Sequence, residues 1–392
     1  IANSQPPPSY SYIDLLNLVL RHSLFVSPGR VIRYATVKNG RHFLPIRTSV
    51  AVNNRMSKET IIKKQSKELG EQLSLMVDRR AVVIDVGSRL TKAGFASEDT
   101  PQAVFRTITP LQQHHDEDEN RSGGASLVVR TPIERGYILS TQWESMERIW
   151  HHTFYNELRV DPQSQPVLLT QPPLNPKATK ERMVKLMFEA FNVPSIYISV
   201  DAVLAVYASG KTTGCVLDSG DGVTHIVPIY EGYHLQHAIT RIDIAGSDVT
   251  KILAKLLAPR TTYGIDEDVA IKIKETLCYV AQDFSAEIEK PEGELEVPFD
   301  IPNGNTTIMI GKERFQCIEM LFQPNDNLVS SELTKDCNLE GQDGIVQATY
   351  KSMEIEAELF EPFCANIILT GGNTLFPGFV ERFSKDMKKL LP

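Results

Sequence analysis

Two segments that share one pattern constrain the fold of this chain more than any other feature. Each is an apolar strand that runs into Asp-x-Gly, followed by a small polar turn and a second apolar run. The segments are Ala81–Ser88, continued by residues 92–96, and Gly214–Gly222, continued by residues 224–229. Alternation of this kind around a turn of small residues predicts a β-hairpin. A repeated hairpin in turn predicts an internally duplicated protein.

The turns of both hairpins have the composition of an anion-binding site. Glycine and serine let backbone N–H groups approach an anion closely, because no large side chain intervenes. Asp85 and Asp218 end the two strands, where a carboxylate can reach a metal-bound water molecule. The pair of hairpins therefore predicts a nucleoside triphosphate held between the two halves of the protein.

Composition limits the remaining choices. A chain of 392 residues has room for two or three domains, and 42% hydrophobic with 23% charged residues is typical of a soluble globular protein. Apolar runs are shorter than a membrane span, so we expect no membrane contact. The five cysteines are scattered without a Cys-x-x-Cys pair. This spacing favours a reducing, intracellular compartment and argues against a cysteine metal site.

Charge is distributed unevenly along the chain. Residues 1–80 contain 13 lysines and arginines and 5 acidic residues, a net charge of +8. Because the whole chain has a net charge of −8, residues 81–392 carry a net charge of −16. Such an arm could contact nucleic acid, an acidic protein surface or the body of its own chain, and a solvated extension is the alternative. Two helices are predicted within it, a leucine-rich one over Tyr12–Val26 and a lysine-rich one over Lys58–Met76. Both are expected to dock on a partner or on the chain itself.

Further motifs in a fixed order resemble actin and the actin-related proteins. The resemblance covers roughly residues 81–392 and is carried by the runs Trp150–Val160, Leu168–Lys177, Leu217–Tyr233, Ile273–Val280, Leu321–Pro324 and Leu369–Gly378. It implies an α/β, actin-like ATPase fold with two duplicated lobes around a nucleotide cleft. The implied domains are a basic N-terminal extension (1–80), a first lobe with a shortened outer subdomain (81–215) and a second lobe (216–392).

The resemblance also implies ATP or ADP with Mg²⁺ as the ligand, and a role for each matching residue. Asp85 and Asp218 would hold the metal, mostly through water, as a hard cation prefers. Phosphates would be cradled by two groups, Gly87, Ser88, Arg89, Leu90 and Lys92 in the first hairpin and Gly220, Asp221, Gly222 and Val223 in the second. The base and ribose would lie beside Lys274 and Glu275, opposite a wall of Gly371, Gly372, Asn373 and Phe376. Gly246 would be a close-approach glycine.

Departures from the family pattern concern hydrolysis. Arg89 stands where actin has glycine, so its guanidinium either adds a phosphate contact or crowds the cradle. Asp201 stands where actin has the glutamine that orients the attacking water, whereas the catalytic candidate His225 is retained. A carboxylate beside the γ-phosphate should repel it and slow hydrolysis. Arg135 replaces the modified histidine of actin. We therefore expect at most a slow ATPase.

Other departures concern polymerisation. Residues 105–131 form a polar, loop-like stretch, with His114 and His115, where actin has its outer subdomain, and fewer residues are present there. Residues 325–343 replace a short apolar plug loop with a longer, more acidic segment. Because polar loops of like charge repel across a symmetric contact, long homopolymers are not expected.

Three functions remain open from sequence alone. The first is a non-polymerising, actin-related scaffold subunit of a multiprotein complex, such as a chromatin-remodelling assembly, with other subunits, actin or actin-related proteins as partners and nucleic acid on the basic arm. The second is a cytoskeletal, dynactin-type or ciliary protein, suggested by Met146–Trp150 and Arg241–Gly246. The third is a filament-forming ATPase. The compartment is accordingly the nucleus or the cytoplasm with its cytoskeleton.

Overall fold

The structure is a computed structural model that describes residues 81–96, 98, 100–110, 129–261, 264–302, 306–324 and 341–391. The basic extension with its two predicted helices, the stretch containing His114 and His115, and residues 325–340 of the acidic segment lie outside the described residues.

The chain divides into two compact units. Among the described residues, the first unit contains 81–86, 90–132 and 138–211, and the second contains 87–89, 133–137 and the chain from Thr212 onward. The limit predicted between residues 215 and 216 falls inside the strand Gly214–Ser219, whose hydrogen bonds bind it to the second unit throughout. The turn 87–89 and the segment 133–137, which we call the strap, thus belong to the second unit although their neighbours belong to the first.

Strands and helices alternate along the described chain. The strands are β1 Val82–Val86, β2 Leu90–Phe95, β3 Ala103–Arg106, β4 Thr109–Pro110, β5 Val129–Arg130, β6 Ile133–Glu134, β7 Tyr137–Ile138, β8 Val167–Gln171, β9 Ile196–Val200, β10 Gly214–Ser219, β11 Thr224–Tyr230, β12 Tyr233–His234, β13 Thr240–Ile242, β14 Val297–Asp300, β15 Thr307–Ile310 and β16 Ile367–Thr370. The α-helices are α1 Trp143–His151, α2 Lys177–Glu189, α3 Asp201–Ala208, α4 Gly246–Leu257, α5 Glu267–Leu277, α6 Phe284–Ile288, α7 Glu292–Leu295, α8 Glu313–Phe322, α9 Ile345–Glu354, α10 Phe360–Cys364 and α11 Phe379–Leu390.

The first unit is built on a sheet with the order β3-β2-β1-β8-β9. Strands β1 and β2 pair antiparallel as the predicted hairpin, with Asp85 opposite Lys92, and β1 pairs parallel with β8. The β1 residues Val82, Val83 and Ile84 are buried because both faces of the strand are covered. The carboxyl ends of β1 and β8 therefore meet at one edge, which brings Asp85 beside Thr170.

The second unit repeats this arrangement with the order β12-β11-β10-β16, and β13 pairs with β11. Strands β10 and β11 form the second predicted hairpin, and β10 pairs parallel with β16. Its core includes Leu217, Ile226 and residues of α4, α8, α9 and α11, so the sheet is packed against helices. Each sheet thus contains a hairpin whose first strand also pairs with a parallel neighbour. This confirms the predicted α/β fold class.

The helices predicted in the first unit are present, whereas the predicted loop is only partly so. The sequence predicts helices over residues 145–158 and 178–191. The first begins at Trp143 and changes to π-helical winding over His152–Glu157, and the second spans Lys177–Glu189. The loop expected over 105–131 is wrong at its margins, where parts of β3, β4 and β5 occur. A buried hydrogen bond between the hydroxyls of Thr91 and Thr107, at 2.9 Å, ties this margin to β2, a contact that local composition does not show.

One buried ion pair crosses the second unit. Arg382 on α11 donates to Glu319 on α8 at 2.9 Å, and the two side chains are 5% and 2% exposed. Because each charge satisfies the other away from water, this pair fixes the contact between the two helices. Within the described residues, the helices are too short or too polar to cross a membrane.

Candidate functional site

The first turn and the second hairpin touch through their small residues. A Cβ atom added to Gly222 would lie 2.4 Å from the Ser88 hydroxyl and 2.9 Å from its Cβ. Glycine is therefore required at position 222 for the two backbones to approach this closely. The contact brings together Ser88 and Gly222, two residues that the sequence predicted separately as parts of a phosphate cradle.

Backbone hydrogen bonds join the second turn to the start of α4. Gly246 N–H donates to Gly220 O at 3.0 Å, and Ser247 N–H donates to Asp221 O at 2.8 Å. A Cβ on Gly246 would meet the Asp221 side chain at 3.2 Å and Asn373 Oδ1 at 3.0 Å. The predicted close approach at Gly246 is thus a contact between the amino end of a helix and the second turn. A helix amino end favours a nearby negative charge.

Asn373 holds the same turn from the other side. Its amide donates to Ser219 Oγ at 3.0 Å and to Gly220 O at 2.8 Å, and the residue is buried. Gly371 has φ +89°, and a Cβ there would lie 2.2 Å from Ser219 O and 2.7 Å from Asp218 Oδ1. Gly371 and Asn373 therefore support the end of β10 that carries Asp218. Of the other wall residues, Gly372 is exposed, whereas Phe376 is 9% exposed and packs in the core.

Lys274 and Glu275 differ in environment although they are neighbours on α5. The Lys274 ammonium is 5% exposed, donates to Gly246 O at 2.8 Å and lies 3.8 Å from Asp221. Burial lowers the pKa of Lys274, the Asp221 carboxylate opposes this shift, and the Arg89 charge adds to it. Glu275 is 57% exposed and pairs with Arg89. Lys274 therefore ties α5 to α4 and to the second turn, and Glu275 faces outward.

In the first unit, Asp85 is held by two side chains. Thr170 Oγ1 on β8 donates to Asp85 Oδ1 at 2.6 Å, and Lys92 Nζ lies 3.5 Å from Asp85 Oδ2. The hydroxyl and the ammonium orient the carboxylate at the edge of the sheet. Leu90 is 37% exposed at the start of β2, where its backbone continues the turn.

Asp201 is the first residue of α3 and follows β9 directly. Its Oδ1 accepts a hydrogen bond from the N–H of Ala202 at 2.6 Å. The position suits a carboxylate, because the amino end of a helix stabilises a negative charge. The side chain is therefore held by the helix backbone, and it lacks the amide that could both donate to and accept from a water molecule.

His225 is buried in β11, opposite Asp218. Burial, reinforced by the Arg241 charge, lowers the pKa of His225 from 6.5 to about 4, so the imidazole is neutral near pH 7. Its Nε2 is buried and makes no hydrogen bond to the described residues. A neutral ring in this position can donate or accept one hydrogen bond, and it adds no positive charge at the end of the strand.

The strap is fastened to the second unit by Arg135. Its guanidinium binds both oxygens of Asp248, at 2.5 and 2.9 Å, and also donates to Asp243 O. Asp248 is completely buried. Arg135 has φ +47°, which is unfavourable for a side chain other than glycine. Arg241 reinforces the strap by donating to Arg135 O at 2.8 Å.

The functional residues that sequence reasoning missed are partners of the predicted ones. Thr170 orients Asp85, Ser219 binds Asn373, and Asp248 holds the strap. Thr170 had a detectable signal, since it directly follows the apolar run Val167–Leu169. Asp248 lacked one, because its partner is 113 positions away.

We expect Gly222→Ala to lower the free energy of unfolding by about 1–2 kcal/mol, because the new methyl group must displace Ser88 or separate the two turns. Gly220→Ala is the matched control. A Cβ there would meet only Val223 O, at 3.7 Å, so its effect should stay below about 1 kcal/mol. Urea unfolding of both variants, without nucleotide, checks this prediction, and equal destabilisation would contradict the close contact.

A family model for actin matches residues 76–392 of the chain. Since the match covers most of the sequence and agrees with the repeated hairpin sheets, the chain belongs to the actin family. Proteins of this family generally bind a nucleotide with Mg²⁺.

The residues present fit such a ligand. Close packing at Gly222 and Gly246 holds the two turns against each other and against the start of α4. The Ser88 hydroxyl and the Arg89 guanidinium are groups that can donate hydrogen bonds to phosphate oxygens. The predicted phosphate turns 87–89 and 220–223 both belong to the second unit, and Asp85 and Asp218 stay predicted metal ligands. Mg²⁺ would neutralise phosphate charge. In the part of the chain that the structure describes, three or more His, Cys, Asp or Glu residues are not grouped as a metal site by themselves.

Proposed function

We propose that this chain binds ATP or ADP with Mg²⁺ as a long-lived ligand, hydrolyses it slowly if at all, and acts as a non-polymerising subunit of a multiprotein assembly. The observation that carries the proposal is Asp201. The chain keeps the family's binding residues in its two phosphate turns, whereas the position that should orient the attacking water is a carboxylate bound to the N–H of Ala202 at the start of α3.

Retained binding is supported by the second unit. Gly220, Gly246 and Asn373 form one hydrogen-bonded cluster, and Lys274 adds a buried cation to it. A turn held this firmly binds an anion with little rearrangement, which favours affinity. The same rigidity favours a ligand that stabilises the fold.

Slow hydrolysis is supported by electrostatics. A carboxylate beside a γ-phosphate is repelled by it, and it can only accept hydrogen bonds from the water that must attack. His225, the other catalytic candidate, is neutral near pH 7 and so brings no positive charge to the reaction. The chain can therefore bind the nucleotide without hydrolysing it at an appreciable rate.

The assembly role is supported by the sequence outside the described residues. The extension of residues 1–80 carries a net charge of +8 and an apolar segment over Tyr12–Val26, both suited to a partner surface. A nuclear, chromatin-remodelling assembly would use the basic arm on nucleic acid or on acidic proteins. We include the nuclear, chromatin-remodelling assembly in the proposal.

The cytoskeletal alternative rests on Met146–Trp150 and Arg241–Gly246. Met146 is 1% exposed and Trp150 is fully buried in the first unit, and Arg241 binds the strap. These residues have packing roles that any member of the family could need, so they do not favour a dynactin-type or ciliary partner. They leave the assembly role as the better-supported proposal.

Sedimentation tests the proposal. The purified chain with ATP, Mg²⁺ and salt should remain in the supernatant at concentrations at which conventional actin, run in parallel, forms a pellet. Ordered filaments of the isolated chain in the pellet would refute the non-polymerising role and favour the filament-forming ATPase.

A further inference from the structure

Arg89 binds directly to another of the candidate nucleotide residues. Its Nη1 donates to Glu275 Oε1 at 2.6 Å, across 186 positions of the sequence. The Arg89 side chain is 24% exposed and that of Glu275 is 57% exposed. The pair therefore joins the predicted phosphate turn to the predicted ribose residue at the border between protein and solvent.

The remaining edge of the guanidinium is unsatisfied. Arg89 Nε is buried and makes no hydrogen bond to any residue that the structure describes. A buried donor without an acceptor is costly, so such groups usually bind a ligand or water. Because Nη1 is bound to Glu275, the edge that carries Nε and Nη2 remains, and two parallel N–H groups match two oxygens of a phosphate.

Two cations and two carboxylates lie near this edge. Arg89 is close enough to Lys274 for its charge to act on that ammonium, and Asp221 and Glu275 are the neighbouring carboxylates. Glu275 is already bound to Arg89, and Asp221 lies 3.8 Å from Lys274. Because each carboxylate is taken up by one cation, the free Nε edge of Arg89 is the group in this cluster that is left to bind a phosphate oxygen.

We propose that Arg89 is a phosphate ligand, whose Nε edge donates to phosphate oxygens of the bound nucleotide while Glu275 holds the guanidinium in the required orientation. This inference rests on the proposed nucleotide binding. It resolves the two interpretations of Arg89 in favour of an added contact, and it makes Glu275 a positioning residue in addition to a neighbour of the ribose.

The test compares ATP with adenosine, because only ATP carries phosphates. In competition against a fluorescent ATP analogue with Mg²⁺, Arg89→Gly should bind ATP about tenfold to a hundredfold more weakly, as expected for a lost hydrogen bond between charged groups. Adenosine binding should change less than about twofold, within the usual scatter of such comparisons. Arg89→Lys, which keeps the charge but not the fork, should fall between wild type and Arg89→Gly.

Glu275→Gln distinguishes positioning from a ribose contact. In a double-mutant cycle with Arg89→Gly, the two substitutions should be coupled for ATP and additive for adenosine. A ribose contact alone would give the same effect of Glu275→Gln on both ligands in both backgrounds.

Three results would overturn the inference. An unchanged ratio of ATP to adenosine affinity in Arg89→Gly would show that Arg89 does not contact phosphate. Tighter ATP binding in Arg89→Gly would show that Arg89 crowds the cradle. If wild type and all variants bind neither ligand, nucleotide binding itself is refuted, and the role of Arg89 with it.

Discussion

Asp201→Gln should accelerate ATP hydrolysis by about tenfold to a hundredfold, in the range expected when a positioned side chain assists proton transfer or orients water. The substitution removes the negative charge that repels the γ-phosphate, and it supplies an amide that both donates and accepts. Single-turnover phosphate release from protein loaded with ATP and Mg²⁺ measures the effect without a contribution from nucleotide exchange.

Asp201→Asn is the matched control for the same position. It removes the charge but keeps the shorter side chain that now bonds to the N–H of Ala202. If repulsion dominates, the asparagine variant should recover much of the gain, whereas a gain limited to glutamine would assign it to the orientation of water. Rates unchanged in both variants would contradict the role given to Asp201.

Arg135→Ala should lower the free energy of unfolding by about 3 kcal/mol, because it removes the two hydrogen bonds of a completely buried carboxylate. Asp248 would then keep its contact with Ala245 N–H but lose its counter-charge. Urea unfolding at a fixed nucleotide concentration measures the change, since bound ligand adds to the apparent stability.

Two further variants separate the effect of the backbone conformation at position 135 from the effect of the lost ion pair. Arg135→Gly removes the same side chain but accommodates φ +47° freely, so it should be roughly 1 kcal/mol more stable than Arg135→Ala. Arg148→Ala removes an exposed pair with Glu144 and should cost less than about 1 kcal/mol. If Arg135→Ala were as mild as Arg148→Ala, the strap would not depend on its ion pair.

The hairpins could be predicted because their signal is local. Alternation of apolar residues and an Asp-x-Gly turn specify β1–β2 and β10–β11 within about twenty residues, and strand geometry then fixes Asp85 opposite Lys92. The strand margins at 103–110 were missed because their stabilising contact, between Thr91 and Thr107, is formed only when the sheet is assembled.

The site was predicted residue by residue, but its connections were not. A family pattern places Arg89 and Glu275 near one ligand, yet the direct bond between them depends on a rotamer and on packing that sequence spacing does not encode. Asp248 is similar, because its partner Arg135 is brought to it by the strap. The assignments of the remaining site residues to phosphate, ribose and metal stay predictions.

The measurement that tests the account most directly is the nucleotide content of the purified, folded chain. We expect heat-denatured protein to release close to one ATP or ADP per chain, resolved by chromatography, together with Mg²⁺, and we expect Gly222→Ala to release less than Gly220→Ala. Release of ATP rather than ADP after hours at room temperature would agree with slow hydrolysis. Folded protein that releases no nucleotide, and takes up none when supplied with ATP and Mg²⁺, would contradict the account.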